Sequence, residues 1–246
     1  MIIALLADIH GNLEALDACL KDAETRGAGR FVFLGDLVGY GADPGAVVDR
    51  VMELARRGAV AIKGNHDDAA EKTPHGLNDA AQASVAWTRN ALSSEQKAFL
   101  ASLPMTARDG GMFFVHSSAV APERWEYIEN ATAARLSIEA AKATYVFSGH
   151  VHDQTLYFLT PLGKIAPFRP ISGSAVPLPS HRRWLAIAGS VGQPRDGNPA
   201  AAYAMFDSAK EEITFFRLPY DHALAAKKIR QAGLDPLLAE RIERGI

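Results

Sequence analysis

Short apolar runs and helical patterns alternate at the start of the chain. Residues 2–7 form a continuous run of Ile, Leu and Ala, which is typical of a strand buried on both faces. Apolar residues then recur at positions 13, 16, 20 and 23, the spacing of one helix face. Asn12 is the expected N-cap of this helix, and Gly27 is its expected end.

The same order of elements follows a second and a third time. A strand over residues 31–34 precedes a helix that is expected to begin at Asp43, with Pro44 in its first turn. A third strand, residues 59–63, leads into a polar loop over residues 64–68. Repeated strand, loop and helix predict βαβ units in a parallel sheet, with polar loops at the carboxyl ends of the strands.

The middle of the chain predicts two helices over residues 78–104. The second of them starts with Ser93 and Gln96 at the spacing of a capping box. We expect this segment to be either a helical lid or part of the packing. Strands at residues 112–115 and 145–148 follow, and each of them precedes a histidine.

After residue 152 the pattern changes to short strands joined by turns, which predicts a largely antiparallel sheet. The predicted strands are residues 155–160, 164–167, 184–188, 201–206 and 212–218. A helix over residues 222–233 is predicted to end the chain. No composition shift indicates a linker, so we expect one domain over residues 1–246.

Composition narrows the class of protein. The chain has 246 residues, 48% of them hydrophobic and 22% charged, with a formal net charge of −2. This balance argues against a membrane protein and against a broad nucleic-acid surface. A single cysteine, Cys19, excludes an internal disulfide and a multi-cysteine metal site. The first apolar run is too short for a signal peptide or a membrane span, so we expect a cytoplasmic protein.

Five predicted loops that follow strands contain residue types that bind metal ions. These residues are Asp8 and His10, then Asp36, then Asn65, His66 and Asp67, then His116, and finally His150 and His152. The carboxyl ends of neighbouring parallel strands meet at one edge of a sheet, so we expect the five loops to face one crevice. Carboxylate, imidazole and amide ligands without thiolate favour Mn, Fe, Zn or Ni.

In these loops the sequence resembles the calcineurin-like metallophosphoesterase superfamily. The matching motifs are DIHGN at residues 8–12, GD at 35–36, GNHD at 64–67, the strand-terminal His116, and GHVH at 149–152. Residues 189–197, GSVGQPRDG, resemble a segment of its single-domain bacterial and archaeal branch. The resemblance implies an α/β fold in which two mixed β-sheets pack as a sandwich and are flanked by helices, a four-layer α/β/β/α arrangement.

The resemblance also implies a centre of two divalent metal ions, with manganese among the candidates. Asp8, His10 and His152 would bind one ion, Asn65, His116 and His150 the other, and Asp36 would bridge them. A phosphoester would then be hydrolysed by attack of a metal-bridging hydroxide on phosphorus.

Four further residues are candidates for roles beside the ions. The resemblance implies that His66 stabilises the transition state or protonates the leaving oxygen. Asp67 would orient the His66 ring, or it would only cap its loop. Arg195 is a candidate phosphate donor, with a structural salt bridge as the alternative. Tyr40 is a candidate for lining the pocket.

Departures from the superfamily narrow the expected substrate. Protein Ser/Thr phosphatases and symmetric diadenosine tetraphosphatases have an arginine after the second motif, in a GDxVDRG pattern, whereas residues 35–41 here are GDLVGYG. We therefore expect a metal-dependent hydrolase of small phosphodiesters or phosphomonoesters, with nucleotides among the candidate substrates. An asymmetric diadenosine-polyphosphate hydrolase is the nearest alternative. A protein Ser/Thr phosphatase, a non-catalytic scaffold on the same fold, and any oligomeric state stay open.

Overall fold

A computed structural model describes residues 1–71 and 79–246 of the chain. Within these ranges the strands form two mixed sheets of six strands each. The first sheet contains, in spatial order, β3 (Val60–Ala61), β2 (Arg30–Phe33), β1 (Ile2–Leu6), β11 (Ala201–Asp207), β12 (Glu212–Leu218) and β9 (Ala175–Pro177). The second contains β4 (Thr106–Asp109), β5 (Met112–Val115), β6 (Tyr145–Ser148), β10 (Arg183–Ile187), β7 (Thr155–Leu159) and β8 (Ile165–Phe168).

Eight α-helices flank these sheets in the described ranges. They are α1 (Leu13–Thr25), α2 (Pro44–Arg56), α3 (Asn65–Glu71), α4 (Asp79–Ala91), α5 (Ser94–Ser102), α6 (Ala131–Ala141), α7 (His222–Gln231) and α8 (Pro236–Arg244). Strands β1, β2 and β3 are parallel, and so are β5, β6 and β10. The other strand pairs are antiparallel. The first βαβ units therefore form as the hydrophobic pattern predicts.

The core is divided into layers by the two sheets. Between the sheets the Phe147 ring lies 5.7 Å from that of Phe114 and 5.3 Å from that of Phe206, which belongs to the first sheet. On the outer face of the first sheet the apolar residues of α1 and α2 are buried, and α6 covers the outer face of the second. The fold class predicted from the sequence is confirmed.

Side-chain caps fix the starts of several helices. The Asn12 side chain accepts the N–H of Ala15 at 3.1 Å, so it is the N-cap of α1 as predicted. Ser93 and Gln96 form the predicted capping box at the start of α5. Each of these caps satisfies backbone donors that have no partner within the helix.

Some sequence-based predictions of secondary structure were wrong. The predicted loop over residues 64–68 is largely the first turn of α3, whose polar NHDD sequence contains no apolar periodicity. The helix α7 does not end the chain, because α8 follows it with Asp235 as N-cap and Pro236 in its first turn. The strands β4 and β9 were not predicted, because both are short and partly exposed.

The predicted lid segment contains α4 and α5, and residue 78 lies outside the described residues. Both helices contact α2 and α3. The Ser84 hydroxyl accepts the Tyr40 N–H at 2.6 Å, and the Arg89 Nε donates to the Ala69 and Ala70 carbonyls at 3.1 Å. The segment thus packs against the loop that follows Asp36, and its role as a lid stays a prediction.

Two observations concern the remaining expectations from composition. Cys19 is fully buried on α1, and burial raises the pKa of its thiol, so it is an unreactive core residue. In the described ranges, no helix combines the length and the apolar character needed to cross a membrane.

We expect Phe147→Ala to lower the free energy of unfolding by about 3–5 kcal/mol, because it opens a cavity between the two sheets. Leu162→Ala is the control, since Leu162 is 96% exposed, and it should change stability by less than about 0.5 kcal/mol. Urea unfolding followed by circular dichroism measures both. Equal stability of the two variants would contradict the layered core.

Candidate metal centre

The loops after β1, β2, β3, β5 and β6 bring the predicted metal ligands together. The first three strands belong to one sheet and the last two to the other. The expectation that these loops follow neighbouring strands of one parallel sheet was therefore wrong. The crevice instead lies where the carboxyl ends of parallel strands from both sheets meet, so the ligands approach it from two walls.

Five of these ligand candidates have a left-handed backbone, which residues other than glycine rarely adopt. They are Asp8, His10, Asp36, His150 and His152, with φ angles of 53°, 50°, 54°, 68° and 69°. The surrounding backbone holds this conformation in place: the Asp8 N–H donates to the Gly35 carbonyl at 3.1 Å and the His10 N–H to the Asp36 carbonyl at 2.9 Å. Such strain concentrates at functional sites.

The first set of ligand atoms surrounds the Asp8 carboxylate. His10 Nε2 lies 3.2 Å from His152 Nε2, and the two nitrogens are 3.9 and 3.3 Å from Asp8 Oδ1. His10 Nε2 is also 3.7 Å from Asp36 Oδ2. These side chains are fully or almost fully buried.

The second set surrounds His116. His116 Nε2 lies 3.1 Å from Asn65 Oδ1 and 3.2 Å from His150 Nδ1. The same nitrogen is 3.4 Å from Asp36 Oδ2. Asp36 Oδ2 is therefore common to both sets.

The outward nitrogen of each ligand imidazole bonds to a backbone carbonyl. The hydrogen bonds are those of His10 Nδ1 to the Val38 carbonyl (3.3 Å), His116 Nδ1 to that of Leu34 (2.8 Å), His150 Nε2 to that of Trp125 (2.8 Å) and His152 Nδ1 to that of Gln193 (2.6 Å). This pattern fixes the tautomer and the ring orientation and leaves the inward nitrogen with a free lone pair, as in metal-binding histidines.

The two carboxylates are held in the same way. Asp8 Oδ2 accepts the His150 N–H at 2.9 Å, and Asp36 Oδ1 accepts the His66 N–H at 2.8 Å. Asp8 Oδ1 is buried and has no hydrogen-bond partner among the described residues. A buried anionic oxygen without a partner is costly, and a metal ion in this position would satisfy it. The donor set therefore fits divalent cations.

Burial and charge shift the pKa values of these groups. Burial lowers the pKa of His10 and His66, and burial together with the neighbouring His116 lowers that of His150 to about 3. The neutral imidazole that results in these three residues is the form that binds metals. Burial alone would also lower the pKa of His116, but the negative charge of Asp36 raises it to about 9, so an ion bound there would displace a proton. Burial alone would raise the pKa of Asp8, but the nearby His152 imidazole, whose Nε2 lies 3.3 Å from Asp8 Oδ1, lowers it to about 2.

His66 lies at the edge of the first set of ligands. Its ring packs against those of His10 at 4.9 Å and Tyr40 at 4.4 Å, and Tyr40 also contacts His10 at 4.6 Å. His66 Nδ1 is buried and, within the described ranges, has no hydrogen-bond partner. Space for the ring depends on Gly39, because a Cβ there would lie 2.4 Å from His66 Nδ1. Tyr40 is 7% exposed, and its ring packs against the rings of both histidines.

Asp67 does not contact the imidazole that it was expected to orient. Its Oδ1 accepts the N–H groups of Leu37 and Val38 at 2.9 and 3.3 Å, and its Oδ2 accepts that of Gly64 at 3.0 Å. Both carboxylate oxygens thus accept hydrogen bonds from the backbone of two loops. The carboxylate joins the loop after Asp36 to the start of α3, which corresponds to the capping alternative.

The late glycine-rich segment, residues 189–197, packs directly on the first loop. A Cβ at Gly192 would lie 1.8 Å from the Ile9 carbonyl oxygen, so only glycine allows this approach. The Ser190 hydroxyl donates to the Asp8 carbonyl at 2.7 Å. At the exposed end of the segment, Arg195 Nη2 lies 3.3 Å from Gln193 Oε1. Burial raises the pKa values of Tyr40 and Tyr127, and the positive charge of Arg195 partly offsets this increase.

Sequence reasoning did not identify Tyr127 and Trp125. The Tyr127 ring stacks on that of His150 at 3.9 Å with an angle of 16° between the planes, and Tyr127 is 49% exposed. The Trp125 carbonyl accepts the His150 proton and its ring lies 5.9 Å from that of His116. The only signal in the sequence was the aromatic content of the loop after His116.

Comparison with known proteins assigns the family. A sequence profile described as the calcineurin-like phosphoesterase superfamily domain matches residues 1–211. The chain belongs to the calcineurin-like phosphoesterase superfamily. Its residues 8–12, 35–36, 64–67 and 149–152 are the motifs on which the resemblance was based, and each of them contributes at least one side chain to the ligand sets.

Relatives within the superfamily match over the full chain. An uncharacterized protein of Methanocaldococcus jannaschii, MJ0912, is 32% identical over 255 residues, covering 99% of this chain and 98% of the relative. The crystal structure of a metallophosphoesterase from Sphaerobacter thermophilus is 36% identical, with a TM-score of 0.89, and covers 100% of this chain and 99% of its own. A protein from Pyrococcus horikoshii OT3, PH1004, has a TM-score of 0.79 at 20% identity, with 100% and 98% coverage, and shows the same fold.

We expect Mn²⁺ or Zn²⁺ to raise the midpoint of thermal unfolding and a chelator to lower it, because a ligand that binds only the folded state stabilises it. At a free metal concentration 100-fold above the dissociation constant, the free energy of unfolding should rise by about 2.7 kcal/mol. Asp36→Asn should lose most of the shift. The exposed His181, outside the crevice, provides the control His181→Gln, which should retain it. Differential scanning fluorimetry measures the shift, and an undiminished response of Asp36→Asn would contradict the ligand assignment.

Proposed function

We propose that this protein hydrolyses phosphodiester or phosphomonoester bonds of small molecules at a centre of two divalent metal ions. The main support is the division of the ligand atoms into two sets that share Asp36 Oδ2. A shared carboxylate oxygen is the arrangement that keeps two cations about 3.5–4 Å apart, the separation typical of two-metal phosphoesterases. Membership of the superfamily and the metallophosphoesterase relative support the same reaction class.

The residues divide into two ligand groups under this proposal. Asp8, His10 and His152 would hold one ion, Asn65, His116 and His150 would hold the other, and Asp36 would contact both. The mixture of carboxylate, imidazole and amide oxygen suits Mn, Fe, Zn or Ni. When bound, the ions activate water and attract the negatively charged phosphoryl group.

His66 is the proposed catalytic residue of the protein itself. Its ring is next to the first ligand set, and its Nδ1 is buried without a partner within the described ranges. An imidazole at this position can form a hydrogen bond to a phosphoryl oxygen or transfer a proton to the leaving oxygen. Tyr40 and the small Gly39 keep the ring in place.

Arg195 is the proposed phosphate-binding residue at the rim. It is exposed at the end of the glycine-rich segment, two positions after Gln193, whose carbonyl accepts a hydrogen bond from His152 Nδ1 at 2.6 Å. A guanidinium donates several hydrogen bonds in a fixed plane, which suits phosphate. We propose a soluble small-molecule phosphoester as the partner and a cytoplasmic location, consistent with the net charge of −2 and the single cysteine.

One observation favours a nucleotide substrate, and with it an asymmetric diadenosine-polyphosphate hydrolase as the second candidate. Tyr127 lies flat on His150 and is about half exposed, so it offers an aromatic surface next to the second ligand set. Aromatic side chains bind nucleobases by stacking. Removal of this ring by Tyr127→Ala would weaken the binding of a nucleotide more than the binding of p-nitrophenyl phosphate, which has a smaller ring.

We expect the metal-loaded protein to contain about two ions per chain, because the ligands form two sets. Asp36→Ala should lose most of both ions. His66→Ala should retain both ions, and its turnover rate should fall by about 10²–10⁴-fold, the range for a proton-transfer residue. Metal analysis by mass spectrometry of the desalted proteins, combined with turnover assays, separates the roles. Loss of metal from His66→Ala with normal activity in its loaded fraction would contradict this assignment.

A substrate panel tests the reaction class. We expect the manganese-loaded protein to hydrolyse bis-p-nitrophenyl phosphate, p-nitrophenyl phosphate or cyclic nucleotides. Faster hydrolysis of dinucleoside tetraphosphates would favour the second candidate, and preference for phosphopeptides would favour a protein phosphatase. A protein that binds no metal and hydrolyses none of these compounds would be a scaffold, contrary to the proposal.

A further inference from the structure

The superfamily profile ends at residue 211, and the part of the chain that follows contacts the loop of Arg195. The Gly197 N–H donates to the Gly245 carbonyl at 2.8 Å, just after the end of α8. Gly245 has a φ of 68°, and a Cβ there would lie 2.5 Å from the carbonyl carbon of Asn198. The end of α8 therefore packs backbone against backbone on the loop of residues 195–198.

A second contact holds the same loop from β12. Arg217 Nη2 donates to Asp196 Oδ1 at 2.8 Å and to the Asn198 carbonyl at 2.6 Å. The Arg217 side chain is 11% exposed, so its charge is largely removed from water and the pairing is stronger than one at the surface. Asp196 and Asn198, which follow Arg195 in the loop, are thus both held by Arg217.

The hairpin of α7 and α8 is itself attached to the loops behind the ligand sets. Lys228 on α7 pairs with Glu14 and, at 2.9 Å, with Asp43, at the starts of α1 and α2. Tyr40, which supports His10 and His66, packs in the apolar cluster that the hairpin forms. The hairpin therefore contacts both Tyr40 and the loop of Arg195.

We propose that the C-terminal hairpin is a positioning element, and that its Gly245, together with Arg217 on β12, sets the place of Arg195 beside the ligand sets. This inference rests on the proposed role of Arg195 as a phosphate donor. Displacement of a binding group by about 1 Å weakens its interaction strongly, since hydrogen bonds depend on distance and angle. Residues outside the superfamily profile would in this way determine how tightly the site binds phosphate.

Two glycines of the hairpin supply a matched pair of variants. Both Gly245 and Gly233 follow a helix with positive φ, 68° and 71°, so alanine strains the backbone equally at either position. A Cβ at Gly233 meets no atom within 4 Å, whereas one at Gly245 meets Asn198. Only Gly245→Ala should therefore displace the loop.

The measurements use the manganese-loaded full-length protein. For Gly245→Ala we expect the dissociation constant of inorganic phosphate, from calorimetry, and KM to rise about tenfold, with kcat within about twofold and metal content unchanged. Hydrogen exchange should become faster at the amides of residues 195–198. Gly233→Ala should match the wild type in all five quantities. Arg217→Gln should reproduce the Gly245→Ala result, so it tests the proposal if Gly245→Ala does not fold.

Other outcomes separate the hairpin from the function. If Arg195→Ala weakens phosphate binding while Gly245→Ala and Arg217→Gln do not, the positioning role is overturned and the proposed function stands. Faster exchange in the loop with unchanged phosphate affinity overturns the positioning role as well. If Arg195→Ala binds phosphate like the wild type, the assigned role of Arg195 is wrong and the inference fails with it. Absence of phosphate binding and of hydrolysis in the loaded wild type would instead overturn the proposed function.

Discussion

The buried carboxylate of Asp36 connects every part of the candidate site. Its Oδ1 accepts the His66 N–H at the start of α3, and its Oδ2 faces His10 on one side and His116 on the other. A charge in this position is stable only if it is paired, because burial of an isolated carboxylate is very costly. The imidazoles from both sheets and the ions that they are suited to hold provide this pairing, so the arrangement of the two sheets and the chemistry of the crevice depend on each other.

The same constraint explains the glycines around this carboxylate. A Cβ at Gly64 would lie 2.2 Å from both the Asp36 nitrogen and its Oδ1, and Gly35 has a φ of 89° next to the second loop. These glycines let two loops pack backbone against backbone, which places the strained Asp36 where both histidine sets can reach it. A strained backbone of this kind persists only if the surrounding structure holds it. Here the Asp67 carboxylate binds the backbone of the loop after Asp36, and the segment around Gly192 packs against Ile9.

Much of the fold could be predicted from local signals. The apolar runs of β1 and β2, the Asn12 cap and the Ser93 capping box each depend on residues close in sequence, so they were identified correctly. The helix α3 was missed because its NHDD sequence has no apolar face. Several of the hydrogen bonds that its first turn makes are to residues 30 positions earlier in the chain. The helix α8 was missed even though Asp235, Pro236 and Gly245 supply its boundaries.

The sequence by itself determined the ligand types and the family, because the motifs around Asp8, Asp36, Asn65, His116 and His150 are short and contiguous. Only the tertiary structure decided that two sheets supply them, that Asp67 binds backbone amides, and that Tyr127 stacks on His150. It also decided that the end of α8 reaches the loop of Arg195. The physical reason is that metal-binding chemistry is a property of residue types, whereas these contacts join residues far apart in the chain and arise only when the layers pack.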